Sequence, residues 1–156
     1  MNKLRKFMAL PQSDRVMLLK AVALLATVRL TLKVAKFSMA DRWFRSFRRV
    51  SATVAPTAPE RLAWSVATAG RIIPSGGHCL SQAMALQVLM ARQGMHATVR
   101  YGIQQIPGVP LAAHAWLEYQ GHLLIGANNL DRFVELAGPG VSSPQETRSS
   151  RASSAV

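Results

Sequence analysis

Apolar residues in the first third of the chain recur at helical spacing. From Val16 to Phe37 an angle of 100° per residue gathers Arg15, Arg29, Lys33 and Lys36 on one face, and the segment carries a broad apolar surface including Leu18, Val22 and Leu25. Such a surface must cover something. Pro11 with Gln12 or Ser13 as cap predicts the start of this helix, and a second short amphipathic piece holds Trp43, Phe44 and Phe47. Two prolines and small residues from Ser51 to Pro59 form a linker. Thr57-Ala58-Pro59-Glu60 then reads as an N-cap with proline in the first turn of a helix running to about Ile72.

The pattern changes after Pro74-Ser75-Gly76-Gly77, a loop that ends at His78-Cys79. Leu80, Ala83, Met84, Leu86, Val88, Met90 and Ala91 keep helical spacing until Gly94 closes the helix. From His96 to Ile103 the period becomes two, with Ala97, Val99 and Tyr101 on one side, and a proline-containing loop leads into Ala113 to Tyr119. Gln120-Gly121 is a two-residue hairpin turn into His122 to Ile125. Helix, strand, strand, strand is an α+β order. Three zones result: a basic helical extension at 1–50, a core at 51–137, and a tail at 138–156 rich in Ser, Gly, Pro and Arg that reads as disordered.

Charge sharpens this division. Of the net charge of +12, most lies in residues 1–50, where twelve Lys/Arg face only Asp14 and Asp41. A basic segment of this kind suits anionic lipid, nucleic acid or an acidic partner; peripheral membrane contact is retained and nucleic acid is not expected. Lys20, Arg29, Lys33 and Lys36 interrupt the apolar stretch too often for a secretory signal or a span, since each central cation costs roughly 2.5 to 3.5 kcal/mol on insertion. The single cysteine excludes an intramolecular disulfide and suits a reducing compartment, the cytoplasm.

That cysteine is the candidate nucleophile. Unpaired backbone N–H groups and the helix dipole at the start of a helix favour a thiolate at Cys79, Gly76-Gly77 lets a substrate chain approach, and the Cys79 N–H can stabilise an oxyanion. His114, opening a strand with Trp116 and Leu117 behind it, is the candidate base. A third residue that orients the imidazole is expected on the strand from His122 to about Asn129. No histidine or cysteine pair has metal-ligand spacing, no phosphate-binding glycine loop is present, and neither metal nor cofactor is expected.

Three stretches carry a resemblance: Cys79-Leu80-Ser81-Gln82-Ala83-Met84-Ala85-Leu86-Gln87, Arg92-Gln93-Gly94-Met95-His96-Ala97, and His114-Ala115-Trp116-Leu117-Glu118-Tyr119-Gln120-Gly121. Together with Arg61-Leu62-Ala63-Trp64 and the basic, leucine-rich opening, they resemble the lasso peptide biosynthesis B2 proteins, transglutaminase-like leader peptidases, over about residues 3–136. His-Ala-Trp alone is common to the wider transglutaminase-like superfamily. The resemblance implies a transglutaminase-like (papain-like) cysteine peptidase core that removes the leader from a ribosomally made precursor peptide. It also implies two partners: a separate leader-binding B1 recognition protein and an ATP-dependent lasso cyclase. That family usually places an aspartate about a dozen residues beyond the histidine, where this chain has Gly126 or Ala127. Asn128 can take the role, as asparagine does in papain-like enzymes; Asp131 can reach back; or the orienting residue is absent.

Overall fold

The computed structural model describes residues 3–34, 57–73, 78–108 and 110–136. The Trp43, Phe44 and Phe47 piece, the Pro74 to Gly77 loop and the tail lie outside these. Helices α1 (Lys3–Met8), α2 (Gln12–Val34), α3 (Pro59–Ile72) and α4 (His78–Ala91) precede strands β1 (Thr98–Gln104), β2 (Ala112–Tyr119), β3 (His122–Ile125) and β4 (Val134–Glu135), with a short 3-10 turn at Leu130–Arg132. This is the α+β class that the period change from helical to alternating predicts.

Leu18, Ala21, Leu25 and Val28 follow one another three or four residues apart along α2 and are buried. They form one cluster with Leu62, Val66 and Ala69 of α3, with Ala83 to Leu86, Val88 and Met90 of α4, and with Ala115 and Leu117 of β2. The first long helix therefore belongs to the same core as the rest, and what its apolar surface covers is α3 and α4. Arg15 and Arg29 lie beside this buried row and are half-buried; Arg29 donates from Nη1 to the Ile73 carbonyl at 3.1 Å, and Asp14 pairs with Arg61 across α2 and α3. A second row on the far side of α2, Val16, Leu19, Ala23, Ala26 and Leu30, is exposed.

Local chemistry sets the ends of these helices. Gly94, at φ 77°, donates to the Ala91 carbonyl while Met95 donates to the Met90 carbonyl, the paired bonds that satisfy the last carbonyls of a helix closed by glycine. At the start of α3 the cap position is Ala58, and its side chain makes no capping bond. The helix begins one residue later than a Thr57 cap requires, and Thr57 gives its backbone N–H to Gln93 Oε1 at 2.6 Å. Pro59 still occupies the first turn, where its missing N–H costs nothing.

The sheet is antiparallel in the order β3-β2-β1-β4. β1 and β2 pair without interruption from Thr98↔Glu118 to Gln104↔Ala112. Gln120 and Gly121, both with positive φ (51° and 78°), form the predicted hairpin turn, whose twist matches that of the strands it joins. A register shift beside Leu117 and Glu118 then lets β3 turn away. Alternation sends Ala115 and Leu117 to the helices, while His114, Trp116 and the Gly102 position share the other face.

Candidate active site

Cys79 is the second residue of α4, half-buried and packed against the edge of the common core. The first-turn N–H groups of a helix have no partner within it, and no acidic side chain stands in this first turn to oppose a thiolate. The sequence expectation for the position of Cys79 thus corresponds to its place in the fold.

His114 is the third residue of β2. Its ring stacks with that of Phe133, at 5.1 Å and 29° between planes, and with that of Trp116, at 6.2 Å and 25°. Nε2 stands 2.8 Å from the carbonyl oxygen of Gly126. The chain reaches that spot by leaving β3 after Ile125 and turning at Gly126 with φ 85°. A side chain there would not fit, since a Cβ would come within 2.8 Å of both the Ala115 carbonyl oxygen and Trp116 Cβ.

The connections bring the start of α4 towards the end of the sheet where β2 opens, while the imidazole stands on the face of β2 opposite the helices. A short loop follows α4, and Gln87 donates from Nε2 to the Ala97 carbonyl at 2.9 Å, so the end of α4 lies where β1 begins. β1 runs back from that point and β2 returns antiparallel to it. With α4 packed along β2, its start, about 20 Å away at 1.5 Å per residue, lies towards the end where β2 opens with Ala112, Ala113 and His114. Only two residues of β2 separate His114 from the rim. Among the described residues no hydrogen bond joins Cys79 to His114; such contacts are often long before substrate binds.

Asn128 and Asp131 are exposed, and neither hydrogen-bonds to the imidazole. Asn129, with φ 56° and ψ 36°, starts the 3-10 turn that carries Phe133 to the ring. His96 and His122 are exposed, the latter opposite Tyr119 at the hairpin. No group of three or more His, Cys, Asp or Glu among the described residues is arranged to hold a metal. Sequence reasoning missed two contributors. Gly126 figured only as the place of a missing aspartate, and Phe133 gave no signal, because neither a backbone carbonyl nor a stacking partner brought in by an irregular turn has a residue pattern.

A half-buried thiol at a helix start and a histidine on a strand packed against that helix, held by Nε2 and stacked with two aromatic rings, are the residue types that covalent chemistry at an acyl carbon uses. No curated protein and no solved structure matches the chain significantly. The family model described as transglutaminase-like superfamily matches residues 16–138, a stretch that includes α2 from Val16 onward, α3, α4 and the whole sheet. That superfamily includes both cysteine proteases and transglutaminases, and this chain belongs to it.

Proposed function

We propose that the protein is a cysteine peptidase that removes the leader from a lasso precursor peptide, acting through Cys79 and His114. The observation that carries the chemistry is the contact between His114 Nε2 and the Gly126 carbonyl. It holds the ring by one nitrogen and leaves Nδ1 for the thiol. The choice of substrate rests on the resemblance of the Cys79, Arg92 and His114 stretches to the B2 leader peptidases.

In this reading the Cys79 thiolate adds to the carbonyl carbon of the leader–core amide, and N–H groups at the start of α4 stabilise the oxyanion. Collapse breaks the C–N bond, with His114 giving its proton to the departing amine, which is the new N-terminus of the core. A thioester to the leader remains. Water, deprotonated by His114, attacks it, and the leader leaves as a carboxylic acid while the thiol is restored. The freed amine is what a separate ATP-dependent cyclase needs to form a macrolactam. Presentation of the leader belongs to a B1 recognition partner. The 105–111 segment joins β1 to β2 at the same end as His114 and exposes Ile106 and Leu111, a placement that suits recognition of residues flanking the cut.

Mass spectrometry of precursor incubated with this protein and its B1 partner tests the proposal. Cleavage at the leader–core junction is expected for the wild type and not for Cys79→Ala; equal cleavage by both removes Cys79 as nucleophile. A second reading, a scaffold that binds precursor and cyclase without cutting, is motivated by the lack of an aspartate where the resembling family carries one, the place of Gly126 or Ala127. It predicts that every form leaves the precursor intact while the partner still binds leader.

A further inference from the structure

The position where the resembling family carries a carboxylate is filled here by backbone. We infer that the Gly126 carbonyl is the positioning group for His114, replacing a side-chain orienter, and that this is why the position must be glycine. The inference rests on the peptidase reading for its effect on rate, and on geometry for the contact itself.

Three observations converge. Gly126 O and His114 Nε2 are 2.8 Å apart. A carbonyl has no proton to give, so the imidazole nitrogen is the donor, and neutral His114 is the form protonated at Nε2 with its lone pair on Nδ1. The ring cannot turn to offer that lone pair elsewhere without breaking the bond and disturbing its stacking with Phe133 and Trp116. Finally, the carbonyl gets there because the backbone passes directly over Trp116: the Cβ that any other residue would add falls 2.8 Å from Trp116 Cβ, 2.9 Å from its Cα and 2.8 Å from Ala115 O. The φ of 85° is also one that side chains rarely tolerate. Close approach and left-handed backbone are two separate demands, and both select glycine.

A carbonyl fixes the tautomer as an aspartate does, without a formal negative charge beside the ring. Asn128 and Asp131, the side-chain candidates, are exposed and make no bond to the imidazole. Orientation is thereby built into the turn after β3.

The test is NMR of the full-length protein labelled with 15N-histidine, with the His114 signals identified by their loss in His114→Gln. Neutral His114 is expected to carry its proton on Nε2, and Gly126→Ala is expected to mix the two tautomers. In precursor cleavage, Gly126→Ala is expected to lower kcat about a hundredfold, the scale of a misplaced catalytic group, with KM changed far less. Protonation at Nδ1 in the wild type overturns the inference. So does a kcat loss in Asn128→Ala or Asp131→Ala that Gly126→Ala does not share. If Gly126→Ala fails to fold, the Nε2 proton of the wild type decides the matter: slow exchange with solvent is expected for a donor held by the Gly126 carbonyl, and exchange as fast as that of a free imidazole overturns the inference. Neither readout depends on cleavage, so a precursor that is never cut removes the peptidase reading and leaves the positioning contact to stand or fall separately.

Discussion

Trp116 lies across Gly102, so close that a Cβ on Gly102 would sit 3.0 Å from Trp116 Cζ3 and 2.9 Å from Phe133 Cβ. The missing side chain on β1 is what lets the indole cover the sheet on the face opposite the helices, and what brings Phe133 down onto His114 at 5.1 Å. Three residues from separate segments thus build the wall around the imidazole. Gly102→Ala should force Trp116 or Phe133 outward, at the roughly 1 to 3 kcal/mol typical of overpacking. Urea unfolding followed by tryptophan fluorescence measures that loss, and an unchanged midpoint would show that the indole can shift at no cost.

The two apolar rows of α2 differ in what they touch. Leu25 is fully buried, whereas Leu19 is 58% exposed. Leu25→Ala should cost about 2 to 5 kcal/mol because it removes contacts and leaves a cavity among α2, α3 and α4, while Leu19→Ala should stay within about 0.5 kcal/mol. Thermal or urea denaturation of both variants checks the contrast. Equal losses would mean that the outward row is covered in the folded protein.

Leu111, 62% exposed, stands one residue before β2 and three before His114. If the β1–β2 connection recognises residues next to the cut, Leu111→Ser should raise KM for precursor several-fold and leave kcat within about twofold, the signature of binding lost equally from ground and transition states. Steady-state kinetics by quantitative mass spectrometry separates the two constants. A fall in kcat with KM unchanged would place Leu111 with the reacting groups instead.

Much of this architecture is legible in the sequence. The helix from His78 to Ala91 announced itself by apolar spacing and by Gly94, whose freedom at φ 77° is what a glycine-closed helix needs. The hairpin at Gln120-Gly121 was equally plain, since a two-residue turn between alternating strands calls for positive φ at both positions. Other features depend on tertiary context. Arg15 and Arg29 share a helix face with other cations, which suggests a solvated stripe, but they lie beside the buried row, where Arg29 finds the Ile73 carbonyl. Thr57 has capping chemistry, yet the helix starts so that Ala58 takes the cap position and Thr57 stands one residue outside it. Strand β4 has only two residues, too few for any period to emerge. Trp116 and Leu117 do anchor the strand of His114, one on each face of the sheet, and it is the register with Gly102 that sets which face is which.

The central claim is that the Cys79 thiol and the His114 imidazole act as a pair across the rim of β2. Alkylation of Cys79, the only cysteine in the chain, can be followed by intact mass at neutral pH in the wild type and in His114→Ala, with folding of both confirmed by circular dichroism. The account predicts that the wild type is labelled faster, because the imidazole takes the thiol proton and stabilises the reactive thiolate. Equal rates in the two proteins would contradict it.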